Sequence, residues 1–306
     1  MAKPKVMICD SISDKALEEL KKHFEVDVKT GQTPEQLAES IGAYNAVVVR
    51  SATKVRQPAI EAALKQGNLK LIVRGGVGID NIDAAFAREH GVEVMNTPAA
   101  SSISVAELAF GLMLAAARHI GLGTYSMKTG QWLKKDLKGL ELYGKTLGII
   151  GYGRIGRELA KRAEAFGMYV VAYDAFFNKC PASGKDMIPL DDLLKKSDFI
   201  SLHIPFDKAK GATIGPAQFK IMKKGAILVN CARGGTVDEK ALLAALNDGT
   251  VYAAGLDVFE KEPPEFKELI DHPKVALTPH VGASTVEAQN KIGAEVASVL
   301  RTFFSV

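Results

Sequence analysis

Three side chains stand where chemistry could be done, each just past a short apolar run. Arg233 lies in Asn230-Cys-Ala-Arg-Gly-Gly235, Glu262 in Asp257-Val-Phe-Glu-Lys-Glu-Pro-Pro264, and His280 in Leu277-Thr-Pro-His-Val-Gly-Ala283. A guanidinium forks two N–H bonds onto a carboxylate and the oxygen beside it. An imidazole takes a hydroxyl proton as hydride leaves, or returns it in the reverse direction. A carboxylate next to that imidazole holds one tautomer and favours the protonated form. Together the three suit hydride transfer on a 2-hydroxy or 2-oxo acid. Singly, each has a plainer reading. A histidine after proline packs a loop, an arginine beside two glycines satisfies carbonyls, and an acid between Lys261 and Pro263 is solvated. Their shared position after successive strands favours chemistry.

Hydride transfer needs a carrier, and the run Leu147-Gly-Ile-Ile-Gly151-Tyr-Gly153-Arg-Ile-Gly156 provides for one. An apolar strand ends in Gly-x-Gly-x-x-Gly, a helical pattern follows from Arg157 to Phe166, and Gly167 stops it. Gly151 permits the tight turn, Gly153 lets backbone approach a pyrophosphate, and Gly156 lets helix and strand pack closely. The phosphates would sit on N–H groups at the helix N-terminus. Asp174, 18 residues after Gly156, closes the second strand Tyr169–Asp174. Its carboxylate can accept bonds from an adenosine ribose and would repel a 2′-phosphate, so NAD is expected rather than NADP.

The elements that must position these groups alternate β and α, which predicts α/β architecture with two doubly wound parallel sheets. Lys5–Asp10, Glu25–Lys29, Ala46–Arg50, Leu69–Val73 and Val92–Asn96 read as strands, with helices over Asp14–Phe24, from Thr33, from about Pro58 and near Asp83–Glu89. Thr33-Pro-Glu-Gln36 is a capping box with proline in the first turn. Pro98-Ala-Ala-Ser-Ser102 breaks the alternation and marks a crossing into a second domain. Ser104-Val-Ala-Glu107 reads as a second capping box, opening an apolar helix to about His119 that must be buried, in its own core or against a second subunit. Strands at Asp198–Leu202, Ala226–Asn230, Tyr252–Leu256 and Val275–Thr278 follow, with helices near Leu190–Lys195, Pro216–Met222 and Asp238–Asn247. The closing helix, about Thr285–Phe304, returns to the first domain. The expected division is 1–98 plus 285–306, binding substrate, and 99–284, binding NAD.

The totals are those of a globular chain. Its 306 residues are 47% hydrophobic and 24% charged, enough for two domains. The net charge of +4 suits an anionic small ligand and is too mild and dispersed to argue for nucleic acid. Cys9, Cys180 and Cys231 are odd in number and scattered, which points to a reducing, cytoplasmic setting and to no metal. The longest apolar run, Leu108 to Ala117, is far short of the ~18 residues a membrane span needs.

On these motifs the chain resembles the D-isomer-specific 2-hydroxyacid dehydrogenase family over nearly its whole length. The resemblance implies a flavodoxin-like substrate domain and a Rossmann NAD-binding domain with an active-site cleft between them. The family's catalytic trio falls on Arg233, Glu262 and His280, and its nucleotide loop on Gly151 to Gly156, Arg154 and Ile155 included. Arg74-Gly-Gly-Val-Gly-Ile-Asp-Asn-Ile-Asp83 resembles its substrate-carboxylate loop, where the N–H groups of Gly76, Val77 and Gly78 would face the acid. The same likeness puts Cys231, Ala232, Arg233, Asp257, His280, Gly282 and Ala283 on the nicotinamide side and Ile204 near the adenine. Val49-Arg-Ser-Ala-Thr-Lys54 and Arg74 resemble the branch that oxidises 3-phosphoglycerate, with Arg50, Ser51 and Arg74 toward the phosphate. A further cation there, from a partner subunit, aligns with Lys134. Longer members continue into a serine-binding regulatory domain, which this chain, ending at Val306, is expected to lack.

Two alternatives stay open. A glyoxylate or hydroxypyruvate reductase would not need Arg50 and Arg74 to converge on phosphate, and a nucleotide-sensing corepressor could keep the trio. A homodimer is expected, built on Ser104–His119 and the segment around Trp132.

Overall fold

The computed structural model describes residues 3–306. The chain divides into two compact units, one comprising the residues up to Ser101 with Ala283–Val306, the other Ser102–Gly282.

The first unit runs β1 (Lys5–Ile8), α1 (Asp14–His23), β2 (Glu25–Val28), α2 (Pro34–Ser40), β3 (Ala46–Val49), α3 (Gln57–Gln66), β4 (Leu71–Arg74), α4 (Ala84–Glu89) and β5 (Glu93–Asn96). The strands are parallel in the order β2-β1-β3-β4-β5, the flavodoxin-like order. All four residues of β3 are buried, as a central parallel strand covered on both faces demands. Val47, Val49 and Ile72 face one core and Val48, Leu71 and Val73 the other. Ile292, Val296 and Leu300 of the last helix, Val286–Phe304, fill that second core. Each such side chain contributes roughly 1.5–3 kcal/mol by burial. The Thr33 box forms: the Thr33 hydroxyl accepts from Gln36 N and the Gln36 amide oxygen from Thr33 N.

The second unit opens with α5 (Ser102–Ala117) and α6 (Ile120–Lys128), followed by β6 (Thr146–Ile150), α7 (Arg154–Ala165), β7 (Tyr169–Tyr173), α8 (Leu190–Lys196), β8 (Phe199–Leu202), α9 (Pro216–Ile221), β9 (Ala226–Asn230), α10 (Glu239–Asn247), β10 (Val251–Leu256), α11 (Lys267–Ile270) and β11 (Val275–Leu277). Its parallel sheet has the order β11-β10-β9-β8-β6-β7. Chain direction across the sheet reverses at β6/β8, the place where α/β sheets bind ligands beyond the strand ends. The closing helix Val286–Phe304, α12, carries Thr285 as its N-cap.

The Ser104–Glu107 capping box does not form. α5 already starts at Ser102, so Ser104 is interior and buried, its hydroxyl donating to Gly282 O at 2.6 Å, while Glu107 pairs with Arg162 at 2.6 Å. Most of α5 is buried, but Ile103, Glu107 and Gly111 form an exposed stripe at four-residue spacing. α7 begins at Arg154, ahead of the helical pattern, so Gly156 lies inside its first turn. Helices α6 and α11 escape the periodicity reading. α6 holds two glycines and a threonine, which propensity disfavours, and is set off from α5 by His119 in the left-handed region (φ 53°). Among the described residues no single helix is long and apolar enough to cross a membrane.

Candidate active site

The nucleotide loop is built as its glycines require. Gly151 leaves β6 at φ +93°, and a Cβ there would lie 2.5 Å from His203 O and 2.7 Å from the Ile204 side chain. Ile204, expected near the adenine, therefore abuts this turn. A Cβ on Gly156 would lie 2.4 Å from Gly151 O and 3.0 Å from Ile149, whereas one on Gly153, the N-cap of α7, would meet nothing within 4 Å. Helix and strand touch at Gly156, and space is left open at Gly153, with Arg154 and Ile155 opening the helix whose leading N–H groups have no partner within it. Asp174 follows β7 and sits beside the loop, accepting from Tyr152 N at 2.9 Å and from Phe176 N at 3.0 Å.

Arg233 is set by the turn after β9. Buried Asn230 accepts from Ala232 N at 3.0 Å and donates to Arg233 O at 3.2 Å, and the buried Thr236 hydroxyl donates to the same carbonyl at 2.7 Å. The half-buried guanidinium donates to Ala232 O at 2.6 Å. Cys231 and Ala232 are buried, and burial pushes the Cys231 thiol up. Burial disfavours its thiolate, the form that acts as a nucleophile.

His280 is held by Asp257. That carboxylate is buried and takes three bonds, from Thr278 Oγ1 at 2.6 Å, Val281 N at 2.8 Å and Gly282 N at 2.9 Å. The bonds fix His280 in the left-handed region (φ 54°), which costs a non-glycine residue on the order of 1–3 kcal/mol. Gly282 is fitted closely: a Cβ would lie 3.1 Å from Asp257 Oδ2. Ala283 belongs to the first unit, its carbonyl accepting from Gln289.

Glu262 and His280 meet: His280 Nδ1 lies 2.7 Å from Glu262 Oε2. The carboxylate accepts, so Nδ1 carries the proton and Nε2 is left to exchange one with a substrate oxygen. Glu262 Oε1 also accepts from Phe259 N at 3.2 Å. Burial pushes the Glu262 carboxyl up, but the His280 bond and charge, the Phe259 amide and the charge of Arg233 outweigh it and bring it below the usual carboxylate value. A lowered carboxyl favours the folded arrangement above its ordinary value, and that contribution is lost as pH falls through the folded value. The pair therefore persists through the ordinary carboxylate range and breaks only below it.

In the first unit, Arg50 follows β3 and Arg74 ends the neighbouring strand β4, with Val49 in register with Arg74. A Cβ on Gly76 (φ +146°) would fall 1.5 Å from the Arg74 guanidinium, and one on Gly75 lies 3.5 Å from the Arg50 stem, so both arginines lie against this glycine turn. Burial lowers the Arg50 guanidinium, with Asp10 opposing. The Arg50–Thr53 loop is fixed by Asp10, which accepts from Arg50 N, Thr53 N and Thr53 Oγ1, and by Asn81, which donates to Arg50 O at 2.6 Å and Thr53 O at 2.7 Å. Asn96 donates to Val77 O, holding the Gly76-Val77-Gly78 turn. Ser51 and, in the second unit, Lys134 are exposed. Asp10, Asn81, Asn96, Asn230 and Thr236 escape sequence reading. Their signal is an Asx or Thr at a strand end or in the loop after it, which turns of every kind share.

A sheet with a Gly-x-Gly-x-x-Gly turn and an imidazole–carboxylate pair beyond its strand ends defines a class, the nicotinamide-dependent dehydrogenases. Residues 110–282 match the model of the D-isomer specific 2-hydroxyacid dehydrogenase NAD binding domain. A D-3-phosphoglycerate dehydrogenase of Methanocaldococcus jannaschii is 50% identical over 97% of this chain, which spans only 57% of that relative. A hydroxypyruvate reductase of Thermotoga maritima is 49% identical, with 97% of both chains covered. The structure of a D-lactate dehydrogenase from Aquifex aeolicus, complexed with NAD and lactic acid, superposes at a TM-score of 0.82 with 30% identity, covering 98% of this chain and 95% of that one. The chain belongs to the D-isomer specific 2-hydroxyacid dehydrogenase family, a family of oxidoreductases, and carries its NAD binding domain.

Proposed function

We propose that this chain is an NAD-dependent D-3-phosphoglycerate dehydrogenase, oxidising 3-phosphoglycerate to 3-phosphohydroxypyruvate on the way to L-serine in the cytoplasm. The observation that carries the substrate is the pairing of Arg50 and Arg74 on one glycine turn, a placement suited to a dianion. NAD, on the Gly151–Gly156 loop with Asp174 at its ribose, supplies the hydride acceptor. Arg233 grips the substrate carboxylate and polarises the C2 oxygen. As C2 gives up hydride, His280 Nε2 takes the hydroxyl proton and Glu262 steadies the imidazolium. In this reading the N–H groups of Gly76, Val77 and Gly78 bind the acid. A second reading, hydroxypyruvate reductase, is favoured by the Thermotoga maritima relative, which matches end to end.

A panel of phosphorylated and plain 2-hydroxy acids, run with NAD and with NADP and followed by absorbance of the reduced cofactor, decides between them. 3-Phosphoglycerate with NAD is expected to give the highest kcat/KM. Higher values with glycerate would favour the reductase, and equal use of NADP would remove the role of Asp174. The exposed side chains Ile120, Tyr125, Met127 and Trp132 support a homodimer, since obligate dimers bury large apolar faces. Light scattering at micromolar concentration is expected to give twice the chain mass of 32.8 kDa. Particles of the single-chain mass only would contradict the dimer.

A further inference from the structure

The structure assigns Glu239 as the residue that positions Glu262. Past β10 the chain is buried through Phe259 and then emerges, with residues 260–263 exposed, so the turn that carries Glu262 has no core of its own to hold it. Two consecutive amides hold it instead. Phe259 N donates to Glu262 Oε1 at 3.2 Å, and Glu260 N donates to Glu239 Oε1 at 2.7 Å. The clasp is reciprocal, because Glu239 N donates to Glu260 Oε1 at 3.2 Å.

Glu239 stands on firm ground. It is the first residue of α10, preceded by the N-cap Asp238, which accepts from Ala241 N at 2.9 Å and whose own N–H bonds Ile214 O at 2.9 Å. The other side of the turn meets the Arg233 loop: a Cβ on Gly234 would lie 1.7 Å from Phe259 O and 2.8 Å from Glu260 N. The clasp therefore sets how far Glu262 stands from both Arg233 and His280. Burial, followed by the charges of Glu260 and Asp238, raises the Glu239 carboxyl. A carboxylate kept where its charge is disfavoured stays because its bond to the Glu260 amide offsets the cost.

This assignment rests on the proton-transfer reading of Glu262 and His280, and a double-mutant cycle separates the two. The variants are Glu239→Ala, Glu239→Gln, Glu262→Gln and Glu239→Ala with Glu262→Gln. For each, kcat, the pH profile of kcat/KM and NAD affinity by fluorescence titration are measured. Glu239→Ala is expected to lose about tenfold to a hundredfold in kcat, as small misplacements of catalytic groups do, with NAD affinity kept. Glu239→Gln, whose amide oxygen still accepts from Glu260 N, should stay within about twofold of wild type. In the Glu262→Gln background, Glu239→Ala should cost nothing further. An equal loss in both backgrounds overturns the positioning role. If Glu262→Gln alone leaves rate and pH profile unchanged, the proton-transfer reading falls and the positioning role with it. Should Glu239→Ala fail to fold, Glu239→Asp, one methylene short of the amide, must show the same loss and the same dependence on Glu262; full activity overturns the assignment.

Discussion

His280→Ala is expected to lower kcat by a factor on the order of 10²–10⁴ while leaving NAD binding nearly intact. In the proposed reaction the imidazole exchanges the proton through Nε2 while Nδ1 is bonded to Glu262 at 2.7 Å. NAD binding is expected to survive because the glycine turn and Asp174 are built by other segments. Removing the ring also relieves a left-handed residue (φ 54°) only if the backbone moves. Asp257 takes backbone bonds from Val281 and Gly282 that this substitution leaves in place, so the turn should hold. Glu262→Gln should act through the same ring. Without the anion that steadies the imidazolium, proton transfer is less favoured, so kcat should fall with NAD affinity kept. Initial rates against pH, with NAD affinity measured by fluorescence titration, check both. Full activity of His280→Ala would require another base.

What the sequence could show here depended on how local the cause was. The Gly151–Gly156 run and the Thr33 box are short-range, and their side-chain requirements are written in adjacent residues; the structure builds both. The strand order of each sheet follows from β-α alternation with few topologies allowed. Ser104–Glu107 misled because a serine three residues before an acid is the same pattern whether it caps a helix or lies inside one. Burial against Gly282, 178 residues away, decides it. Asp257 could be named from the family likeness, but its three bonds to the His280 turn could not, because they join segments separated by more than 20 residues. The Glu239–Glu260 clasp is invisible for the same reason: a glutamate opening a helix reads as a favourable charge at the dipole.

Arg50→Ala and Arg74→Ala are each expected to raise the KM for 3-phosphoglycerate by about tenfold to a hundredfold. The estimate takes a hydrogen bond to a charged group as worth ~1.5–3 kcal/mol, with 1.4 kcal/mol per tenfold. Turnover of plain 2-hydroxy acids should barely change, because neither arginine is needed for a substrate without phosphate. The substitutions differ in their structural risk. Arg50 holds its place through backbone bonds to Asp10 and Asn81, which alanine keeps, while its side chain donates to Ser11 O at 3.3 Å. Arg74 lies over Gly76, so its loss opens space above the turn proposed to bind the substrate acid, and part of its effect can reach every substrate. Arg50→Ala is therefore the cleaner probe. The decisive quantity is the ratio of kcat/KM for phosphorylated to plain acid, measured in wild type and in each variant. A ratio that collapses in both variants supports phosphate recognition. A ratio that stays fixed while both activities fall makes the arginines supports of the glycine turn, and the substrate is then an unphosphorylated 2-hydroxy acid.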